Sequence, residues 1–176
     1  MIESALLHHH ESRQWLSFEH PVAVLHARKP TEVLPLLKEI EARVEAETLT
    51  AVGYVTYEAA SGLDASLPTH PPPDNALPLI SFALFREAHA VQAPTPTQAQ
   101  AHQQWRFSES AEDYQLAIHR IRERIKAGDV YQINHTTRLN GVLNDPWQLF
   151  TEAAAGAPFG AYLQGDSHTI VSASPE

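Results

Sequence analysis

The densest set of side chains able to do chemistry is Tyr131, Gln132, Asn134 and His135, in and just after the stretch Gly128-Asp129-Val130-Tyr131-Gln132-Ile133-Asn134. A phenol, two carboxamides and an imidazole on one strand could orient a polar substrate and move a proton. The competing role is architectural: a buried amide has several hydrogen-bonding positions to fill, and Gln132 and Asn134 could satisfy backbone groups where strands diverge. Other polar sets are weaker. Tyr57-Glu58 ends a β-rich run, where a Glu serves as a cap or a solvated charge. Arg120, Arg122 and Arg124 alternate with other side chains along a helix and read as its wet face. His8-His9-His10 point in different directions on any regular element, so they read as solvated or locally packed residues.

Several reaction classes lack their motifs. The chain has no nucleophile elbow, no phosphate-cradling loop, no His-Glu-x-x-His helix and no EF-hand. Its 7 Gly are scattered, which argues against a nucleotide-binding loop, and its 0 Cys exclude disulfides and thiolate metal sites. The net charge of −9, from 12 Lys+Arg against 21 Asp+Glu, argues against nucleic acid and anionic membranes as partners. No apolar run reaches the ~18 residues of a membrane span, and no basic stretch precedes an apolar one at the start. A cytoplasmic protein is expected.

The elements that must position these residues follow from periodicity. Residues 15–18 and 22–27 read as strands with Pro21 between them, while residues 1–13 give no clear pattern. Pro30-Thr31-Glu32 opens a helix with an apolar stripe of Val33, Leu34, Leu36, Leu37, Ile40 and Val44. Residues 51–58 read as a strand, and residues 79–85 as a strand buried on both faces. The Pro- and Gln-rich residues 93–104 read as a linker between an N-terminal domain, 1–92, and a second domain beginning at 105 and running to 176. In that second part Ser110 is an N-cap with Asp113 three residues on. Tyr114, Ile118, Ile121 and Ile125 share one helical face, and Gly128 ends the helix. Residues 130–139 then read as a strand. Asp145-Pro146 opens a helix with Trp147, Phe150 and Ala154 inward and Gly156 at its close, and residues 160–164 and 169–173 form a hairpin. Ser174-Pro175-Glu176 does not read as a natural stop, so a fragment is expected.

At residues 128–134 the sequence resembles the chorismate-utilising enzymes, and among them most closely the aminodeoxychorismate synthase component I family. Five further stretches agree in order: Trp15-Leu16-Ser17-Phe18, Gly53-Tyr54-Val55-Thr56-Tyr57-Glu58-Ala59-Ala60, Asp145-Pro146-Trp147-Gln148-Leu149-Phe150, Ala157-Pro158-Phe159-Gly160-Ala161-Tyr162, and Ser172-Ala173-Ser174-Pro175-Glu176. The resemblance implies an α+β fold: a two-sheet, largely antiparallel α/β sandwich with outer helices, cut before the catalytic core is complete. It implies Mg²⁺-dependent replacement of the 4-hydroxyl of chorismate by ammonia, giving 4-amino-4-deoxychorismate for p-aminobenzoate and folate. A glutamine amidotransferase subunit would supply the ammonia.

By the same resemblance, Glu176 matches the active-site Glu of a Ser-Pro-Glu motif. Pro158 and Phe159 match a stretch that lines a tryptophan pocket in relatives, although Gly160 and Ala161 beside them are small. Tyr131, Gln132 and Asn134 match a signature with a mainly architectural role. The family's Lys-Gly-Thr segment and Mg²⁺-ligating glutamates have no counterpart here, so the isolated chain is expected to be inactive. The alternatives are anthranilate synthase component I, which belongs to tryptophan biosynthesis, and a non-catalytic binding or regulatory module.

Overall fold

The structure, a computed structural model, describes residues 1–71, 73, 76–95 and 105–175. In chain order, β1 (Ile2–His9) and β2 (Gln14–Glu19) form a hairpin, and β3 (Ala23–Ala27) leads into α1 (Pro30–Glu47). Next come β4 (Thr50–Val55), a 3-10 turn at Tyr57–Ala59, the single-turn helix α2 (Ala60–Leu63), β5 (Ile80–Phe85) and β6 (His89–Val91). Then follow β7 (Arg106–Phe107), α3 (Ala111–Ala127), β8 (Leu139–Asn140), α4 (Pro146–Ala153), β9 (Phe159–Gly165) and β10 (Thr169–Ser174). These make two compact units, residues 1–97 with 146–176, and residues 98–145.

The first unit is a sandwich of two antiparallel sheets. One has five strands in the order β10-β9-β1-β2-β6, the other three in the order β3-β5-β4. Their inner faces meet in one apolar cluster: Ile2, Ala5, Phe18 and Leu163 from the larger sheet, Val52, Ala83 and Phe85 from the smaller. Ile2 and Ala5 are three residues apart and yet share a face. A register shift in the β1–β9 pairing between Ile2 and Ser4 explains this, because an inserted residue reverses the alternation. Outside the smaller sheet, α1 buries Val33 and Ile40 against Ile80 and Leu84. Outside the larger, α4 and the turn after it bury Phe150 and Ala154 against Trp15. The unit is therefore helix, sheet, sheet, helix, the expected α+β sandwich with outer helices. Each fully buried Phe or Leu contributes ~1.5–3 kcal/mol by leaving water; Phe85, Phe150 and Leu84 are all at 0% exposure.

Local chemistry accounts for the element ends. The Glu32 carboxylate accepts the backbone N–H groups of Arg28 and Lys29 at 3.3 and 3.2 Å, which satisfies donors at the start of α1. Thr48 ends that helix in the left-handed region at φ 53. β5 is central and buried on both faces, as its unbroken apolar run predicts; only Phe82 is half-buried. The expected strand over 51–58 stops at Val55, where the Thr56 N–H donates to the Leu79 carbonyl at 2.8 Å and the chain turns. The unread residues 1–13 contain the central strand β1.

The second unit, where described, is α3 with the β7–β8 pair. The Ser110 hydroxyl accepts the Asp113 N–H at 3.0 Å and donates to the Asp113 carboxylate at 2.7 Å. Gly128 stops the helix at φ 80, with its N–H donating to the Ile125 carbonyl at 3.1 Å. The strand expected over 130–139 is not formed: only Leu139 and Asn140 pair, with Phe107 and Arg106. Residues 130–137 run without a ladder partner among the described residues, while the Arg138 carbonyl accepts the Ser108 N–H at 2.8 Å. The expected linker at 93–104 lies mostly in residues 96–104, outside the described residues. A second domain over 105–176 is also not how the units fall, because β9 pairs with β1 from Ile2↔Gly165 to Leu7↔Ala161, completing the first unit's sheet.

Candidate functional site

The signature stretch does not converge on a point. Tyr131 is 94% exposed. Gln132 and Asn134 are exposed and bond to each other, Nε2–H donating to Oδ1 at 3.2 Å. His135 turns instead to Glu109, its Nε2 lying 3.3 Å from Oε2 of the carboxylate. The other oxygen, Oε1, is also 3.3 Å away, within ion-pair reach, but it is buried and meets no hydrogen bond of normal geometry. The Tyr114 ring lies 5.5 Å from the imidazole. A carboxylate that holds an imidazole can fix its tautomer and let it carry a proton. Glu109 was missed in the sequence, because nothing local links residues 26 positions apart.

The Pro158 and Phe159 stretch is occupied by the histidine run. His8 Nδ1–H donates to the Pro158 carbonyl at 2.8 Å, which fixes the proton on Nδ1 because a carbonyl only accepts. The His8 ring also lies 5.0 Å from Trp15, and His10 stacks on Phe159 at 5.0 Å. His9 Nδ1 meets Ser12 Oγ at 2.9 Å. Beneath lies an aromatic cluster: Phe150 meets Trp15 edge-on at 5.5 Å and packs on Trp147 and Tyr162 at 5.3 Å. Gly160 is small for a reason of packing. A Cβ there would stand 2.5 Å from the Ala154 carbonyl oxygen and 3.0 Å from the Trp15 ring.

Glu176 lies outside the described residues. The strand leading to it is described, and the pairing Ser174↔Phe159 sets Ser174 beside the start of β9. Among the described residues, no group of three His, Asp or Glu side chains is close enough together to hold a metal ion. These residues by themselves therefore do not make a Mg²⁺ site. Also among the described residues, no helix is long and apolar enough to cross a membrane.

Comparison with known proteins bears on all of these places. The chorismate binding enzyme family model matches residues 3–176. The chain is 35% identical over 75 residues to aminodeoxychorismate synthase component 1 of Klebsiella aerogenes, which covers 41% of this chain and 17% of that relative. It is 33% identical over 75 residues to aminodeoxychorismate synthase component 1 of Escherichia coli (strain K12), with the same 41% and 17% coverage. The matched segment thus spans less than a fifth of the length of these curated relatives. With the family model matching nearly end to end, the chain belongs to the chorismate binding enzyme family.

Proposed function

We propose that the chain is the N-terminal part of an aminodeoxychorismate synthase component 1. The whole protein would convert chorismate and ammonia to 4-amino-4-deoxychorismate for p-aminobenzoate and folate synthesis in the cytoplasm. The observation that carries this is the family match over residues 3–176 together with two relatives that bear that name. In this reading the sandwich unit is a scaffold, and its β9–β10 hairpin delivers Glu176 toward the substrate. Glu176 would orient the ring hydroxyl or move its proton. Tyr131, Gln132 and Asn134 act architecturally, consistent with the mutual bond of the two amides and the exposure of the phenol. A glutamine amidotransferase subunit supplies the ammonia. Mg²⁺ would assist loss of the hydroxyl as a Lewis acid, held by residues other than those described here. On this reading the 176 residues alone do not complete the reaction, because the family's Lys-Gly-Thr segment and Mg²⁺-ligating glutamates have no counterpart in them.

No observation favours anthranilate synthase. A preserved tryptophan pocket would favour that alternative; the His8 bond to the Pro158 carbonyl and the His10 stack on Phe159 instead take up the stretch that lines such a pocket in relatives. The test is a chimera in which these 176 residues replace the corresponding N-terminal part of the Escherichia coli relative. Formation of 4-amino-4-deoxychorismate from chorismate and ammonium is the expected result. A folded chimera that makes anthranilate, or that leaves chorismate untouched, contradicts the reading.

A further inference from the structure

Two residues along from the apolar core, the inner face of the smaller sheet turns polar. Val24, Ala83 and Val52 stand side by side across β3, β5 and β4 and belong to the core. The next inward row is His26, Ser81 and Tyr54, again in register with one another. This row walls a cleft of about 470 Å³ at one end of the sandwich, with Arg28 beside it and His168 of the β9–β10 turn across from it. All of these residues belong to the first unit.

Two polar atoms of the cleft have no hydrogen-bond partner among the described residues: the Tyr54 hydroxyl oxygen and His168 Nε2, both buried. Burial raises the Tyr54 pKa, against the opposing pull of Arg28 and the Ser81 hydroxyl, so the phenol keeps its proton and can donate. His168 Nδ1 lies 3.3 Å from Ser167 Oγ; in the tautomer that carries its proton on Nε2, that nitrogen is a second donor. The two rings meet edge-on with centroids 6.0 Å apart, and both residues line the cleft. Arg28 adds a positive charge and is anchored by one N–H donated to the Ala76 carbonyl at 3.2 Å. Asp166 is the one carboxylate on the lining, and it is paired with the Met1 ammonium. Leu77 and Pro78 give the cleft an apolar side.

Two buried donors and one guanidinium match a single oxyanion, and the apolar side matches a carbon body attached to it. We propose that this cleft binds a small organic carboxylate, its oxygens taken by Arg28, Tyr54 and His168 and its body resting on Leu77 and Pro78. The proposal is independent of the synthase reading, because it places the ligand by groups of the sandwich that the reading does not use.

The test is a titration of the 176-residue chain with benzoate and, separately, with inorganic phosphate, followed by calorimetry and by the imidazole NMR signals of His168. Saturable one-to-one binding of benzoate that shifts those signals is the expected result. Tyr54→Phe and Arg28→Gln should each weaken it about tenfold, while Glu45→Gln on the exposed face of α1 leaves it unchanged. Tyr54→Phe removes an unmet buried hydroxyl, so its melting temperature should be equal to the parent's or higher, which separates lost binding from lost folding. His168→Ala serves as a second variant. Phosphate binding as tightly as benzoate, equal benzoate affinity in the variants and the parent, or no saturation with either probe would overturn the proposal.

Discussion

Helices α3 and α4 differ in a way that the sequence inverts. α3 has the fuller set of local signals: a Ser110 cap, acidic residues in its first turn, Arg124 and Lys126 in its last, and Gly128 at its end. It forms as those signals require, and yet none of its residues is buried. α4 spans only 8 residues, and it buries Phe150 completely. Local propensity decides whether a helix forms; a facing surface decides whether its apolar stripe stabilises anything. Phe150 has Trp15, Trp147 and Tyr162 around it. Tyr114 and Ile125, at 46% and 41% exposure, have no such enclosure among the described residues.

The largest effect that can break this contrast is at Phe150. Phe150→Ala should cost about 3–5 kcal/mol, read as a fall in the urea midpoint; a loss under about 1 kcal/mol would show that α4 is not anchored. Gly160→Ala should cost about 1–3 kcal/mol, because the new Cβ would sit 2.5 Å from the Ala154 carbonyl oxygen and force α4's end off the sheet. A stable Gly160→Ala protein would mean that this approach is looser than it stands. Ile121→Ala in α3 should change stability by under about 1 kcal/mol, with the helical circular dichroism retained. A collapse of the melt would show that the α3 stripe is already packed.

The smallest expected effect concerns alkaline pH. The Tyr54 pKa is raised above its ordinary value of 10.0 by burial. A group whose folded pKa is raised contributes stability that is fully present below the unfolded value and lost as pH rises through the folded one. The chain should therefore lose stability above about pH 10, and Tyr54→Phe should lack that component. Identical alkaline limbs for the two proteins would contradict it.

Much of the fold was legible because the relevant signals are local. The cap and stop of α3, the buried run of β5, the Asp145-Pro146 start of α4 and the β9–β10 hairpin can each be read from a few neighbouring residues. What could not be read depends on distant pairing. β1 hides because its bulge breaks the alternation and its end is a run of histidines whose packing partners are Pro158, Phe159 and Trp15. The strand expected over 130–139 had suitable side chains, but a strand is made by its neighbours, and only two residues find one. The candidate site shows the same limit. Gln132 and Asn134 were recognisable as a set; the Glu109 partner of His135 and the polar row His26-Ser81-Tyr54 exist only through folding.

Under the proposed function, these residues scaffold a chorismate enzyme and do not by themselves complete its chemistry. The most direct measurement is product analysis after incubating the folded 176-residue chain with chorismate, ammonium and Mg²⁺. The account predicts a cooperative melt for the sandwich unit and no 4-amino-4-deoxychorismate. Formation of that product by the chain alone would contradict it.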